Sequence, residues 1–402
     1  MNNSNPFPKD FLWGAATSSH QIEGGLENNW TEWEEKKSEH LLRKSRKKGL
    51  AKENFESNSY LSCDSFNHWR EDIDSLKEMG LNIYRFSVEW SRIEPSEDNF
   101  SEEGVSYYIN ILEELKKNGI EPMLTLWHWT IPVWLEKKGG VLSDVFVERY
   151  LKYADFVSDR LGKYVKYWIT VNEPESFAAS HLIGKWPPQK YSFFKFNKLF
   201  LHTFVEIHKK AYALLKKKNP EYQISISKNC FYVKSDFFLF KFPVKLFKDY
   251  IIYAYLDRVK DYVDFLGINY YMHLEPKLLF MKHKEGLFSD MNWYMKPSSM
   301  YDLLLEIYGR YKIPIIITEN GLADEKDKYR QWWIKETVDC LERLLSEGVD
   351  IKGYTYWSLL DNFEWDSGFW PKFGLVEVDS VTKKRSIKKS GYFYRDLIKE
   401  KS

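Results

Sequence analysis

The sequence predicts an α/β protein that forms a single closed (β/α)8 barrel, also called a TIM barrel. Eight short apolar runs have β-type composition, amphipathic helical segments separate them, and no Gly/Ser-rich linker divides the 402 residues. Continuous apolar strands joined by crossover helices indicate a parallel sheet buried on both faces. Eight such units favour a closed barrel over two doubly wound domains, so residues 1–402 are expected to form one catalytic domain.

The predicted strands follow one another at spacings that leave room for a helix between them. They cover residues 11–17, 82–88, 122–127, 167–172, 224–228, 265–271, 315–320 and 353–358. Amphipathic segments between them include residues 66–80, 106–119 and 330–348, and each of these three ends at a glycine. Glycine is common directly after a helix because it adopts the left-handed conformation without strain.

Composition excludes several function classes. The formal net charge of +1 gives no overall attraction to nucleic acid or to anionic lipid, although the basic run at 41–52 is a local exception. The three cysteines, Cys63, Cys230 and Cys340, lack the spacing of a zinc site or a disulfide framework. No signal peptide and no apolar run of membrane-spanning length are present. A cytoplasmic enzyme without cofactor or metal, and without a nucleic-acid partner, is predicted.

Two of the predicted strands carry a glutamate at or directly after their carboxyl end. The run "ITVNEP" carries Glu173 behind Asn172, and "IITENG" carries Glu319 before Asn320. A single glutamate at a strand end is often a structural acid that caps the following loop. Because the carboxyl ends of parallel barrel strands meet at one mouth, we expect both carboxyl groups to lie at the same site.

Polar and aromatic residues also gather at or near the ends of the other predicted strands. Taken singly, a histidine is more often a satisfied core residue and a tryptophan more often packs in the core. Their shared position at one face of one barrel is the informative observation. The residues are Gln21, Arg85, His128, Trp129, Asn269, Tyr271 and Trp357.

This residue set favours glycoside hydrolysis. No glycine-rich dinucleotide loop, no Walker loop and no His/Asp cluster with metal-site spacing is present. A pair of carboxylates among amide, imidazole and indole groups is what cleavage of an acetal between sugars requires. One carboxylic acid protonates the leaving oxygen and one carboxylate attacks the anomeric carbon.

Several motifs resemble those of glycoside hydrolase family 1, the β-glucosidase and β-galactosidase family. They include "FLWGAATSSHQIEGG", "YRFSVEWSRIEP", "ITVNEP", "GINYY", "ITENG" and "YTYWSLLDNFEWDSGFWPKFGLVEVD". The match runs from about Phe11 to about Tyr392. The resemblance implies a TIM barrel and a cofactor-free retaining double displacement on terminal β-D-glucosyl residues. Activity towards β-galactosides and β-fucosides, and towards alkyl or aryl glycosides, is also expected.

The resemblance also implies roles for single residues. Glu173 would be the acid/base and Glu319 the nucleophile, about 5 Å apart as in retaining enzymes. Arg85 and Tyr271 would hold Glu319 in its anionic form. A cis peptide bond is expected between Trp357 and Ser358. The expected substrate-binding residues are Gln21, His128, Trp129, Asn172, Asn269, Trp293, Trp357, Glu364, Trp365 and Phe373.

Single residues separate the branches of this family. Members that act on 6-phosphorylated sugars replace the acid at Glu364, which would repel the phosphate. Plant thioglucosidases lose the acid at Glu173, and an inactive sugar-binding relative is expected to lose one or both glutamates. All three acids are present. The sequence therefore predicts an active O-glycosidase whose partner is a small neutral β-glycoside.

The sequence departs from the family pattern on the aglycone side. The more usual "HWDLP" is "HWTIP" here, with Thr130 and Ile131, and Trp127 occupies a place often held by Tyr or His. Both changes predict a more apolar rim. Residues 231–252 are short and dense in Phe, Tyr and Leu. A shortened barrel helix with an apolar core face explains this density, while an exposed apolar patch for alkyl or aryl aglycones, for dimerisation or for peripheral membrane contact is the alternative. The oligomeric state is left open.

Overall fold

Eight parallel strands close into a barrel, with each strand paired to its neighbours in chain order. The computed structural model describes residues 6–36, 59–183, 186, 192–234, 238–274 and 287–401. The first strand pairs with the second on one side and with the eighth on the other, which closes the sheet. The strands are β1 (Leu12–Ala16), β2 (Ile83–Ser87), β3 (Glu121–Thr125), β4 (Tyr167–Asn172), β5 (Gln223–Asn229), β6 (Leu266–Tyr270), β7 (Ile315–Asn320) and β8 (Ile351–Trp357).

Helices flank the barrel between successive strands. The main helices are α1 (Ser65–Glu78), α2 (Glu102–Lys117), α3 (Phe146–Leu161), α4 (Phe204–Lys218), α5 (Phe238–Lys248), α6 (Ala254–Val259), α7 (Ser299–Tyr311), α8 (Arg330–Ser346) and α9 (Lys389–Lys401). Short helices span Ser19–Ile22, Trp90–Ile93, Val133–Lys137, Pro174–Ile183 and Phe193–Lys198, and π-helical turns span Leu199–Thr203 and Asp249–Tyr253. Single 3₁₀ turns span Gly140–Leu142, Gly162–Tyr164, Lys260–Tyr262 and Trp365–Ser367. Two small sheets pair Tyr232–Val233 with His273–Leu274 and Val376–Val378 with Arg385–Ile387.

Helix α2 shows how the local sequence sets an element. The Ser101 hydroxyl accepts a hydrogen bond from the Gly104 amide at 3.0 Å and caps the helix, and glutamates occupy the first turn. Gly119 follows the helix with φ of 69°, a conformation that favours glycine. The apolar residues recur at helical spacing and face the barrel, where they are buried: Tyr108, Ile111, Leu112 and Leu115.

The barrel interior is layered from an apolar floor to a polar mouth. The floor is a separate cluster of Ile83, Met123, Ile169, Phe265 and Ile316. Arg85 lies two residues beyond Ile83 on β2, so its side chain also points into the barrel, one layer nearer the mouth. The fold therefore places a buried guanidinium directly beneath the carboxyl ends of the strands.

The predicted fold class is confirmed, and the predicted strands match the observed ones closely. The bounds of β4 and β7 agree residue for residue, and the other six strands differ by one or two residues at one or both ends. The predicted helices at 66–80, 106–119 and 330–348 correspond to α1, α2 and α8. The basic run at 41–52 lies outside the described residues.

The three cysteines are buried and unpaired. Among the described ranges, no helix combines the length and the apolar character that crossing a membrane requires.

Candidate active site

The candidate site is a cavity of about 170 Å³ at the carboxyl ends of the barrel strands. Both strand-end glutamates line it. Seven of its eighteen lining residues are Trp, Tyr or Phe. The lining residues are His128, Trp129, Asn172, Glu173, Ser176, Trp186, Asn229, Tyr271, Met272, Met291, Trp293, Glu319, Trp357, Glu364, Trp365, Asp366, Ser367 and Phe373.

Each carboxylate oxygen of Glu319 accepts one strong hydrogen bond. Arg85 Nη1 donates to Oε1 at 2.5 Å, and the Tyr271 hydroxyl donates to Oε2 at 2.6 Å. Arg85 is fully buried, Tyr271 is half-buried, and Glu319 itself is only 3% exposed. Since two donors fix both oxygens, the Glu319 carboxylate has one defined orientation in the cavity.

Arg85 is fully buried, so its charge needs compensation from several groups. Besides Glu319 it donates from Nη1 to the Thr318 carbonyl at 3.0 Å, from Nε to Thr125 Oγ1 at 3.2 Å and from Nη2 to Asn172 Oδ1 at 2.6 Å. The planar guanidinium therefore joins β3, β4 and β7 beneath the cavity. A lysine, with a single point charge, could not span these directions.

Glu173 has a different set of neighbours. It follows β4 directly, with φ of 42°, and its amide donates to the Ser227 carbonyl at 2.7 Å. Asn269 Nδ2 donates to Glu173 Oε1 at 2.8 Å. The Asn269 amide cannot rotate freely because its Oδ1 accepts from Ser227 Oγ and Thr318 Oγ1, each at 2.7 Å. Glu173 thus receives a neutral amide donor where Glu319 receives a guanidinium.

Burial, followed by the negative charges of Glu319 and Glu175, raises the pKa of Glu173 to about 8. The hydrogen bond from Asn269 acts in the opposite direction but is too weak to offset burial. Glu175, two residues on, is itself buried next to Lys228, with 3.1 Å between Lys228 Nζ and Glu175 Oε2. At neutral pH, Glu173 therefore carries a proton that it can donate.

His128 is held as a neutral imidazole of defined tautomer. Burial, followed by the positive charge of Arg85, lowers the pKa of His128 well below its usual range. Because Arg85 donates to Asn172 Oδ1, the Asn172 Nδ2 group is left to donate to His128 Nε2, at 3.0 Å. A neutral ring that accepts at Nε2 carries its proton on Nδ1. That Nδ1 is buried and has no hydrogen-bond partner among the described residues.

Gln21 forms a hydrogen bond to Glu364, a third acid that lines the cavity. The Ser18 hydroxyl donates to Gln21 Oε1 at 2.7 Å and sets the orientation of the amide. Gln21 Nε2 then donates to the Phe363 carbonyl at 2.7 Å and to Glu364 Oε2 at 3.2 Å. Gln21 is completely buried, so it acts on the cavity through Glu364.

Indole rings form the walls of the cavity. The Trp357 and Trp365 rings lie nearly parallel to the His128 ring, with centroids 5.9 and 6.0 Å away, and Trp129 donates from Nε1 to the Asn172 carbonyl at 3.0 Å. Trp129 and Trp365 have positive φ values of 79° and 48°. Such conformations persist where the surroundings hold them, often at functional sites. The expected cis peptide bond between Trp357 and Ser358 is present.

The outer side of the cavity is apolar. Trp357 and Phe373 belong to a small buried cluster with Ala16 and Ala323, and Tyr271, Met291 and Trp293 pack against it. The Trp293 ring lies 5.8 Å from that of Tyr271 and 6.0 Å from that of Phe373. An aromatic face among these rings can stack on a sugar ring or on an aromatic group.

The cavity brings together most of the residues that the sequence singled out. Eleven of the fourteen predicted residues line it, while Arg85, Asn269 and Gln21 lie behind it and bond to Glu319, Glu173 and Glu364. The sequence missed Ser176, Trp186, Asn229, Met272, Met291, Asp366 and Ser367. Asn229 could have been predicted as a strand-end residue, because it is the last residue of β5 and the predicted strand ended one residue earlier.

The expectation that Trp127, Thr130 and Ile131 make the rim of the cavity more apolar is wrong. Trp127, Thr130 and Ile131 are buried and do not line the cavity. The Trp127 ring packs against Phe177 and Phe204, and its Nε1 donates to the Thr130 carbonyl at 3.0 Å. These departures from the usual family sequence are therefore changes in the core beside the barrel, and the apolar side of the cavity comes from other residues.

Comparison with known proteins decides the family. The model of glycosyl hydrolase family 1 matches residues 3–235 and 251–402, which is nearly the whole chain. The chain belongs to glycosyl hydrolase family 1. The predicted family and the predicted enzyme class, an O-glycoside hydrolase, are thereby confirmed. The two matched ranges leave residues 236–250 between them, a segment that contains the whole of α5.

Within family 1, this chain resembles bacterial β-glucosidases along its full length. It is 30% identical to beta-glucosidase A of Thermotoga maritima over 450 residues, which cover 99% of this chain and 98% of that protein. It is 31% identical to beta-glucosidase A of Acetivibrio thermocellus, with 98% of each chain covered. A structure of the T. maritima β-glucosidase with galacto-hydroximolactam superposes with a TM-score of 0.86, at 28% identity, over 99% of this chain and all of that one.

Proposed function

We propose that this chain is a retaining exo-β-glucosidase that removes terminal, non-reducing β-D-glucosyl residues by double displacement. The observation that carries the proposal is the contrast between two carboxyl groups in one cavity. Glu319 is bonded by a guanidinium and a phenol, whereas Glu173 is buried beside an amide and has a pKa of about 8. Paired glutamates with opposite protonation states are what a retaining glycosidase uses.

In the first displacement, the Glu319 carboxylate attacks the anomeric carbon and the bond to the leaving oxygen breaks. Glu173 gives its proton to that oxygen, so the aglycone leaves as a neutral alcohol. A covalent glycosyl-enzyme ester on Glu319 results. The negative charge of Glu319 is consumed in this step, and that charge is one cause of the high pKa of Glu173.

In the second displacement, Glu173 acts as a base. With the charge of Glu319 removed, the pKa of Glu173 falls, and the carboxylate takes a proton from a water molecule that attacks the anomeric carbon. The ester bond to Glu319 breaks, the sugar leaves with retained configuration, and Glu173 regains its proton. Glu319 and Arg85 are then in their starting states.

The sugar would be bound by polar groups that line the cavity. His128 Nδ1 can donate to a hydroxyl, and the Glu364 carboxylate can accept from two neighbouring hydroxyls. Trp357 would stack on the ring, and Trp293 and Phe373 would contact the aglycone. Since a phosphate would be repelled by Glu364, neutral sugars are preferred. The T. maritima relative holds galacto-hydroximolactam, which supports adding β-galactosides, and with them β-fucosides, to the substrates.

The test is hydrolysis of para-nitrophenyl β-D-glucoside, β-D-galactoside, β-D-fucoside and the corresponding 6-phosphates of the first two. The enzymes are the wild type, Glu319→Gly and Glu173→Ala, each with and without azide. Exposed Glu377, on the Val376–Val378 strand, does not line the cavity and provides the control variant Glu377→Gln. Its activity is expected to equal that of the wild type.

The wild type is expected to act on the neutral glycosides only. Both active-site variants lose activity by about 10⁴-fold or more. Azide then rescues Glu319→Gly with an α-glycosyl azide as product and Glu173→Ala with a β-glycosyl azide. Activity that survives loss of either glutamate contradicts the assigned roles, and a wild type that is inert on every glycoside contradicts the proposed function.

A further inference from the structure

Helix α5 exposes apolar side chains to an unusual extent. Leu239 is 59% exposed, Phe242 68%, Leu246 51% and Phe247 45%. Leu239, Phe242 and Leu246 are spaced by three and four residues, so they share one face of the helix. Only a thin stripe at Phe240, Val244 and Lys248 is partly buried against the protein. The helix therefore turns its apolar face away from the core.

The apolar face continues onto a second segment. In the helix Phe193–Lys198, Phe193 is 53% and Phe194 85% exposed. Tyr250, just after α5, connects the two: its ring lies 6.5 Å from that of Phe193, and its hydroxyl donates to Asn197 Oδ1 at 2.9 Å. We call the combined area the basic apolar surface. It comprises Phe193, Phe194, Leu239, Phe242, Leu246 and Phe247 with Lys195, Lys198, Lys241, Lys245 and Lys248.

The charge of this surface has one sign. Neither Phe193–Lys198 nor α5 contains an acidic residue, while together they contain five lysines. Lys198, Lys245 and Lys248 pair with Asp144, Asp249 and Glu306, so five lysines less three acids leave a formal charge of +2. Lys241 has no acidic partner among the described residues. The whole chain, by contrast, has a formal charge of only +1.

We propose that the basic apolar surface docks onto an anionic lipid bilayer. Helices that lie in a membrane interface combine exposed Phe and Leu on one face with lysines beside it. The apolar side chains enter the boundary between headgroups and acyl chains, and the lysines extend to the phosphates. A lone helix with this composition would otherwise leave a large apolar patch in water, which monomeric soluble proteins rarely do.

The charge argues against a second copy of the chain as the occupant. A twofold dimer through this surface would bring five lysines of one copy against five of the other, and like charges facing each other across an interface are costly. An anionic bilayer has the complementary sign. Peripheral docking also agrees with the finding that no helix in the described ranges could span the membrane.

The surface lies beside the mouth of the cavity. Asn229 lines the cavity, and Phe231, two residues further, stacks on Phe247 with ring centroids 5.7 Å apart. The segment 236–250, which contains α5, is also the part of the chain that lies between the two family-matched ranges. Docking is thus a property of this chain's own segment and would bring the cavity entrance close to the headgroups.

The test is co-sedimentation of the full chain with vesicles of phosphatidylcholine alone or mixed with phosphatidylglycerol, at low and high salt. The variant Lys241→Glu/Phe242→Ser removes one lysine and one apolar side chain from the surface. The matched control Lys384→Glu/Val381→Ser makes the same changes on the loop between Val376–Val378 and Arg385–Ile387, where Val381 is 85% exposed. Hydrolysis of a soluble glucoside verifies that both variants are folded.

The wild type and the control are expected to sediment with the anionic vesicles and to be released by salt. The surface variant is expected to bind at least about tenfold more weakly, because each lysine near an anionic bilayer contributes substantially to binding. Failure of the wild type to bind anionic vesicles, or equal binding by both variants, overturns the proposal. A dimer in light scattering that only the surface variant disrupts would identify a second copy as the occupant and would also overturn it.

Discussion

Glu173 and Glu319 are the same residue type near the carboxyl ends of two barrel strands, yet their surroundings differ. Glu319 is bonded by charged Arg85 and by the Tyr271 hydroxyl, one donor to each oxygen. Glu173 has a neutral amide donor from Asn269 and a second buried acid, Glu175, two residues away. A guanidinium favours a carboxylate, whereas burial next to other acids favours a carboxylic acid.

This difference shows how one barrel mouth supports two opposite functions. The strands only deliver two glutamates to the same cavity. Their neighbours, contributed by β2, β6 and the residue after β6, then decide which of the two retains a proton. If this interpretation is correct, exchanging the neighbours should alter the division of roles without moving either glutamate.

The largest effect is expected for Arg85→Met. This change removes the cation that bonds Glu319 and Asn172, so kcat/KM should fall by about 10³-fold or more. Arg85→Lys is the comparison and should recover only a small part of the activity, since an ammonium cannot donate to both partners at once. Steady-state kinetics and thermal unfolding of both variants provide the measurement. Activity within tenfold of the wild type for Arg85→Met would contradict the assigned role of the guanidinium.

Glu173→Gln should stabilise the protein at neutral and alkaline pH while it abolishes activity on unactivated glucosides. The folded-state pKa of Glu173, about 8, is above the ordinary carboxyl pKa of 4.5. The folded protein therefore holds a proton that the unfolded chain releases, and its stability declines as pH rises from 4.5 to 8. Glutamine has no such proton, and its oxygen can still accept from Asn269.

The expected gain in the free energy of unfolding is about 3 kcal/mol at pH 7 and close to zero at pH 4.5. Denaturant unfolding of the wild type and Glu173→Gln at a series of pH values measures the difference. A gain that does not change with pH would mean that Glu173 titrates in the folded state as it does in the unfolded chain.

Tyr271→Phe should lower kcat by about 10²-fold, because it removes the only protein donor that the structure assigns to Glu319 Oε2. The neighbouring Tyr270→Phe is a matched control. Its hydroxyl donates to the Lys296 carbonyl at 2.9 Å, away from the cavity. The control should retain the wild-type kcat, and equal losses in both variants would indicate a general effect on strand packing.

The smallest effect concerns the buried pair of Glu175 and Lys228. Glu175→Gln removes a negative charge that raises the pKa of Glu173, so the alkaline limb of kcat/KM against pH should move down by about half a pH unit. Lys228→Met leaves Glu175 without its cation and should move the limb upwards or leave it in place. A limb that moves down in both variants would show that the pair acts through structure and not through charge.

The pattern of the sequence was enough for the barrel and for most of the cavity. Apolar runs of strand length between amphipathic segments predicted all eight strands, and the strand-end rule placed Glu173, Glu319 and Tyr271 at one mouth. Trp186 was missed because it lies in the connection after the helix Pro174–Ile183, where no period constrains position. Trp127 was misplaced because motif alignment does not report which side of a strand a residue faces.

By itself, the sequence determined the barrel, the two strand-end glutamates and the family, because period and local motifs are short-range properties of the chain. The tertiary structure decided the pKa of Glu173, the tautomer of His128 and the exposure of the apolar face of α5. Each of these depends on groups that are distant in sequence and close in space. Desolvation and hydrogen bonding are set by such neighbours, and no linear pattern of residues contains them.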